Sequence, residues 1–168
     1  MVAKKIIKCS GCGTTDVTLF TDRQLSGKYR DVRCSGCRKK DSQRRTSTPR
    51  GFLLNRLHSI DPKRKKLHLA ITIDDLMALW ESQNGLCAIT GLPMTWGYPE
   101  NDNAGHRNLN ASIDRLHNDG DYTPDNIRLI CMRANYMRGD QTDSELYFWC
   151  RAITEAVLNN AEKKNKAR

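Results

Sequence analysis

Along the second half of the chain, apolar positions recur at helical spacing, switch to alternation, and return to helical spacing. Thr72 opens a stretch in which Leu76, Leu79 and Trp80 form one stripe. Thr72 and Asp75 have the spacing of a reciprocal helix cap, and Asn84-Gly85 is a stop signal. "GLCAITGLPMTW" then reads as a short strand and turn, and "GYPENDNAGHRN" as a polar loop. "ASIDRL" alternates as a strand does, "HNDGDYTPDN" supplies turn residues, "IRLI" reads as a second strand, and "CMRANYMRG" is helical up to Gly139. The order predicts a ββα unit. Thr142 with Glu145 opens a last amphipathic helix whose Leu146, Trp149, Ile153 and Val157 are expected to face inward, ahead of a fraying "EKKNKAR" tail.

The first half is less periodic. "VTLF" and "YRDVR" alternate as the strands of a hairpin would. "RKKDSQRRTSTPRGFLLNRLHSIDPKRKK" reads as a basic connector, broken at Pro49-Arg50-Gly51 and carrying a short helix in "FLLNRLHSI". The expected divisions are a cysteine-bearing unit at 1–45, a basic connector at 46–70, the main domain at 71–162 and a basic tail at 163–168.

Composition narrows the class. With 168 residues and 38% hydrophobic content, the chain suits one compact domain with a small appendage. It has no apolar run of about 18 residues, and "MVAKKIIKC" is too short on apolar residues for a signal peptide, so the expectation is neither a membrane span nor secretion. A cytoplasmic protein follows as the default, in a host cytoplasm if the chain is phage-encoded. The net charge of +9 is uneven. Residues 1–70 hold 18 Lys and Arg against 5 Asp and Glu, whereas residues 71–168 hold 10 against 14. The basic half faces a polyanion or is simply solvated; nucleic-acid binding there would be salt-sensitive and largely indifferent to sequence.

Seven cysteines divide into "CSGC" at Cys9 and Cys12, "CSGC" at Cys34 and Cys37, and singles at Cys87, Cys131 and Cys150. Two residues between cysteines let both thiolates of a tight turn reach one tetrahedral Zn²⁺ at about 2.3 Å. Two such turns 21 residues apart predict a four-cysteine zinc ribbon, with the metal replacing a core that so short a segment lacks. Paired disulfides do not suit a reducing compartment, and a redox pair does not call for two matched motifs. The three singles read as buried apolar residues.

The chemistry concentrates in "SIDRLHNDGDYTPDNIRLICMRAN". In a ββα unit the first strand lies against the helix, so Asp114 and Asn135 converge across twenty intervening residues. Both offer oxygen, which suits Mg²⁺ or Mn²⁺ with water and phosphate as further ligands. Arg115 at the same rim, and Arg138 one helical turn beyond Asn135, would add positive charge where a phosphoryl transition state gathers negative charge. The alternative is that Asp114 pairs with Arg115 or Arg128 and Asn135 is an ordinary exposed helix residue.

This stretch resembles the ββα-metal core of HNH endonucleases, in the variant with Asp-Arg on the first strand. The order of a CxxC pair, "LHLAITIDDLMALW", "CAITG", core and closing helix is similar to that of the zinc-bearing phage-type and PacI-like members. The resemblance implies an α+β fold, a small ββα-metal core with flanking helices and an N-terminal four-cysteine zinc ribbon. It further implies Asp114 and Asn135 as ligands of the catalytic ion, Arg115 as a phosphate contact and Asn126 as the loop brace. Two departures stand out. Where zinc-rich relatives carry a second pair of CxxC motifs, this chain reads "CAIT" and "CMRA"; Thr90 and Ala134 cannot bind zinc, so Cys87 and Cys131 are expected in the core. Arg115 also replaces a water-activating histidine and is a poor base. His68 is the first substitute, with His117, His106, Tyr98 and Tyr122 as rivals.

The function expected is metal-dependent hydrolysis of phosphodiesters in double-stranded DNA. Structural zinc and catalytic Mg²⁺ or Mn²⁺ are the cofactors, and a homodimer is one further partner. Backbone contacts are assigned to Arg38, Lys39, Lys40, Arg44, Arg45, Arg50, Lys63, Arg64, Lys65 and Lys66. The rival reading is a non-catalytic zinc-ribbon nucleic-acid-binding protein on a degenerate nuclease core; a junction-selective or nicking enzyme is a third.

Overall fold

The computed structural model describes residues 6–26, 32–61, 67–97 and 106–166. Its main unit is mixed α+β. The strands β1 (Ala111–Arg115) and β2 (Ile127–Cys131) form an antiparallel pair in which Asp114 lies opposite Arg128 and Ser112 opposite Ile130. A lone two-stranded sheet is marginal in water, and helices cover this one. In order of description, α1 is Asp22–Leu25, α2 Ser35–Arg45, α3 Pro49–His58, α4 Ile73–Ser82, α5 Met132–Arg138 and α6 Asp143–Lys166. Helices α3 and α5 pack on β1, and α4 and α5 on β2. Every residue of β2 is buried, which is why "IRLIC" shows an apolar run and little alternation.

Phe52, Leu53, Leu76, Leu129 and Ile130 form the centre of the core and are at most 1% exposed. Phe52, Leu53 and Leu57 come from α3, within the stretch read as a basic connector. That stretch is therefore partly a core helix of the main unit. Thr48 caps it, accepting from Gly51 N–H at 3.1 Å, with Pro49 at its first turn. The α4 boundaries follow the sequence reading. Thr72 Oγ1 accepts from Asp75 N–H while the Asp75 carboxylate accepts from Thr72 N–H, and the chain leaves the helix through left-handed Asn84 and Gly85 at φ 53° and 67°. A side chain at Gly85 would also meet the Trp80 ring at 3.2 Å.

Three expectations are corrected. The cysteine unit is not a hairpin ribbon across "VTLF": Val17–Leu19 is a turn of 3₁₀-helix followed by α1, because Asp16 Oδ1 accepts from Thr18 N–H and Gln24 Oε1 accepts from Thr21 N–H, closing each turn locally. Tyr29, Arg30 and Asp31 of "YRDVR" lie outside the described residues, and Val32 and Arg33 form no strand. The start of the basic stretch is helical as well, since α2 runs from Ser35 to Arg45 ahead of the helix expected in "FLLNRLHSI" and observed at Pro49–His58. In α6, Leu146 is buried as expected, but Trp149, Ile153 and Val157 are 58–63% exposed, because among the described residues nothing covers the helix beyond its first turns. No described helix is long and apolar enough to cross a membrane.

Candidate functional site

The four paired cysteines converge. Their sulfurs all lie within 4.8 Å of one another, with Cys9 and Cys34 buried and Cys12 exposed. Local backbone geometry builds the cluster. Cys9 Sγ accepts from Gly11 N–H at 3.3 Å and Cys34 N–H at 3.2 Å, while Cys34 caps α2 and accepts from Cys37 N–H at 3.4 Å. The backbone N–H groups of Cys34 and Cys12 pull the Cys9 thiol down to about 6. Hydrogen bonding from Cys37 to the sulfurs of Cys12 and Cys34 pushes the Cys37 thiol up to about 12, as a second negative charge beside the first is costly. A divalent cation among the sulfurs removes that repulsion, and four cysteines at this spacing suit Zn²⁺. Phe20 and Val32 complete a core too small to hold the unit alone.

Cys87 and Cys131 are both 2% exposed within the main core, and Cys87 Sγ accepts from Cys131 N–H at 3.2 Å and Thr90 N–H at 3.5 Å. The turn that would present a cysteine pair is there, but Thr90 and Ala134 occupy the other corners.

Asp114, Arg115 and Asn135 line one open cavity of about 430 Å³, with Ile113, Asn118 and Tyr122 among the other walls. A second cavity of about 450 Å³ shares Ile113, Tyr122 and Asn135 and extends past Ser112 to Arg56 and Ser59 on the α3 side. Residues 112 and 114 face one side of β1 and 113 and 115 the other, and each cavity takes lining from both sides. Asn135 Nδ2 donates to Ser112 Oγ at 2.6 Å, which orients the amide over the strand.

The Asp114 carboxylate is 5% exposed and held by two arginines. Its Oδ2 accepts from Arg128 Nε at 2.9 Å and its Oδ1 from Arg138 Nη1 at 3.0 Å. Asp143 closes the network, accepting from Arg128 at 2.5 and 2.6 Å and from Arg138 Nε at 3.0 Å. Two carboxylates thus balance two guanidiniums. Arg128 holds the Asp143 carboxyl down at about 2, with Arg138 adding to the effect, and Asp143 in turn raises Arg128. The pairing of Asp114 with Arg128 is the alternative the sequence offers, whereas the sequence does not show Asp143 as part of the site.

Arg138 corrects an expectation. It is 1% exposed, and besides the two aspartates it donates to Asn118 Oδ1 and the Leu116 carbonyl. That makes it a buried strut behind Asp114, facing no open phosphate position. Arg115 pairs with no aspartate: its Nη1 donates to the Gly120 carbonyl at 2.6 Å and its guanidinium lies 5.1 Å from the Tyr122 ring centre. Asn126 ties the loop at both ends. Its Oδ1 accepts from His117 N–H at 2.9 Å, and its Nδ2 donates to the Asp121 and His117 carbonyls at 2.8 and 3.2 Å. Gly120 is needed beside it, because a Cβ there would lie 2.7 Å from Asn126 Nδ2.

Of the suggested bases, only Tyr122 among the described residues lines either of these cavities. His68 is exposed beside it, with its carbonyl accepting from Tyr122 N–H at 3.0 Å and its N–H donating to Asp121 Oδ1 at 2.7 Å. His117 is exposed; Tyr98 and the His106 side chain lie outside the described residues. Arg38, Lys39, Lys40, Arg44 and Arg45 are exposed along α2, and Arg50 pairs with Asp74 at 2.9 Å. Lys63, Arg64, Lys65 and Lys66 lie outside the described residues.

No family model and no curated relative matches the chain. Among solved structures it is similar to the rare-cutting HNH restriction endonuclease PacI, at 16% identity over 92% of this chain and 97% of that one, with a TM-score of 0.40. A similarity of that size leaves the function to be read from the site itself.

Proposed function

We propose that the protein is a divalent-metal-dependent endonuclease of HNH type that hydrolyses phosphodiester bonds in duplex DNA. The observation that most supports this is the meeting of Asp114 from β1, Asn135 from α5 and Arg115 on one open cavity. Donor chemistry fits a hard cation. Each Asp114 oxygen accepts one guanidinium hydrogen bond and retains a lone pair, while Asn135 uses its amide nitrogen on Ser112 and keeps its Oδ1. Mg²⁺ and Mn²⁺ take few protein oxygens and complete their shell with water and phosphate. Asp114 and Asn135 would hold the ion. When bound, it supplies Lewis-acid polarisation of the phosphoryl group and neutralises the leaving oxygen.

The remaining work falls to the chain. Arg128 and Arg138 hold the Asp114 carboxylate in one orientation and share its charge, so metal affinity without DNA is weak and the substrate phosphate completes the site. Arg115, fixed by Gly120 and the Tyr122 ring, presents its charge to the pentacovalent phosphorus. A water attacks in line and its proton passes to His68 or Tyr122. The zinc-bound unit and the exposed cations of α2, with Arg50 and the lysines and arginine of 63–66, grip the backbone.

One observation favours the non-catalytic reading: both Asp114 oxygens are engaged by arginines. Supercoiled plasmid incubated with protein and Mg²⁺ or Mn²⁺, beside EDTA, separates the two. Cleavage is expected, and Asn135→Ala, which leaves the buried network whole, is expected to lower it by at least about 100-fold. Full activity in a folded Asn135→Ala protein refutes the metal assignment. Salt-sensitive DNA binding with no cleavage under any divalent ion establishes the binding-protein reading.

A further inference from the structure

Two cavities meet over β1. The one lined by Asp114 and Arg115 and the one that runs past Ser112 share Ile113, Tyr122 and Asn135 as walls, so together they form one trough between the α5 and α3 sides. A DNA strand with one phosphodiester seated at Asp114 and Asn135 carries a further charged phosphate on each side of it. At the Asn118 and Asp140 end the trough offers a carboxylate and no cation besides Arg115. At the other end stands Arg56.

The packing of α3 places this residue. Arg56 follows Phe52 by four positions and Leu53 by three, which sets it on the same side of the helix as these two core residues, next to the buried Leu57. It is half-buried and lines the cavity, yet among the described residues its side chain has no hydrogen bond or ion pair. The other arginines near the site are engaged: Arg128 and Arg138 by Asp114 and Asp143, Arg50 by Asp74, and Arg115 by the Gly120 carbonyl. Asp61, the one acidic residue lining the same cavity, is engaged elsewhere. Arg56 does sit in the last turn of α3, where the helix dipole favours a cation. That preference is met equally by an exposed side chain such as His58 and does not account for a half-buried cation on a cavity wall.

We infer that Arg56 is a second phosphate contact, holding the phosphate next to the scissile one on the cleaved strand. The inference rests on the nuclease reading, which fixes where the scissile phosphate lies. A guanidinium presents a planar fork that meets two phosphate oxygens at once, and a bound phosphate supplies the negative charge that Arg56 lacks within the chain. Because the contact is to the backbone, it adds affinity and salt dependence without sequence preference.

The test uses the full zinc-loaded chain as wild type, Arg56→Ala and Arg56→Lys. Binding of duplex DNA is followed by fluorescence anisotropy in EDTA across a range of salt, with cleavage in Mg²⁺ measured beside it. Arg56→Ala is expected to lower the slope of log K against log salt by about 1 and to weaken binding about tenfold. Arg56→Lys keeps the charge and is expected to restore the slope and part of the affinity. In cleavage, the alanine variant is expected to raise KM about tenfold while kcat stays within about twofold. Its melting temperature is expected to stay within about 2 °C of wild type, since no partner is lost; a purely structural residue would move the melting temperature and leave the slope alone. Should Arg56→Ala not fold, Arg56→Gln removes the charge and keeps most of the stem, and the same readout applies. An unchanged slope overturns the proposal, as does a fall in kcat at constant KM, or a wild type that does not bind DNA. Cleavage with an unmoved slope removes Arg56 and leaves the nuclease reading. A lowered slope with no cleavage under any divalent ion keeps the phosphate contact and removes the nuclease reading.

Discussion

Arg138 on α5 donates from Nη1 to Asp114 Oδ1 on β1 at 3.0 Å, and that guanidinium is 1% exposed. The contact locks helix to strand at the cavity wall and makes the carboxylate one corner of a four-residue ionic network. Removing one member of such a network leaves charge buried without its partner. Arg138→Ala is therefore expected to lower stability by about 3 kcal/mol or more in urea unfolding. A loss under about 1 kcal/mol would mean the network is as weak as an exposed ion pair.

Acid should loosen the same network. The Asp143 carboxyl sits near 2 in the folded chain, below its usual 3.8, chiefly through its hydrogen bonds with Arg128. A depressed carboxyl contributes stability that is full above its unfolded value and fades as pH falls through the folded one. The contribution is expected to disappear between about pH 4 and pH 2. Asp143→Asn should flatten the melting temperature against pH across that window, and an unchanged slope would count against this assignment.

One zinc per chain is expected, not two. Cys9, Cys12, Cys34 and Cys37 form the cluster, while Cys87 and Cys131 have Thr90 and Ala134 as neighbours in place of further thiols. Elemental analysis should give a metal-to-protein ratio near one. Cys34→Ser should abolish it, and Cys87→Ala should leave it intact.

Asn126→Ala removes three hydrogen bonds that tie the 117–121 loop. The cost is expected to be about 1 to 2 kcal/mol, because half-buried hydrogen bonds to the His117 and Asp121 main chain are lost together. Equilibrium unfolding measures it. Gly120→Ala should destabilise through the close approach to Asn126 Nδ2.

DNA affinity should depend steeply on salt if α2 grips the backbone. Replacing Arg38, Arg44 and Arg45 by alanine is expected to reduce the slope of log K against log salt by about 2 to 3. A slope that does not move would take α2 out of the interface.

Local chemistry in the sequence determined the elements whose causes are local. The Thr72–Asp75 cap, the stop at Asn84-Gly85, the two CSGC turns and the strand in "ASIDRL" each express backbone preferences within a few residues, and the chain adopts all of them, although β1 is buried on both faces and does not alternate. The ββα order was legible for the same reason, as was the burial of Cys87 and Cys131. Partnership over distance was not. Asp114, Arg128, Arg138 and Asp143 are brought together by strand register and helix docking, so the chain order shows two aspartates and two arginines but not which faces which. Tertiary packing also drew α3 from an apparent linker into the core, through Phe52, Leu53 and Leu57. It left the apolar stripe of α6 bare: periodicity shows that a helix has an apolar face, whereas only the surrounding surfaces decide whether the same chain covers it.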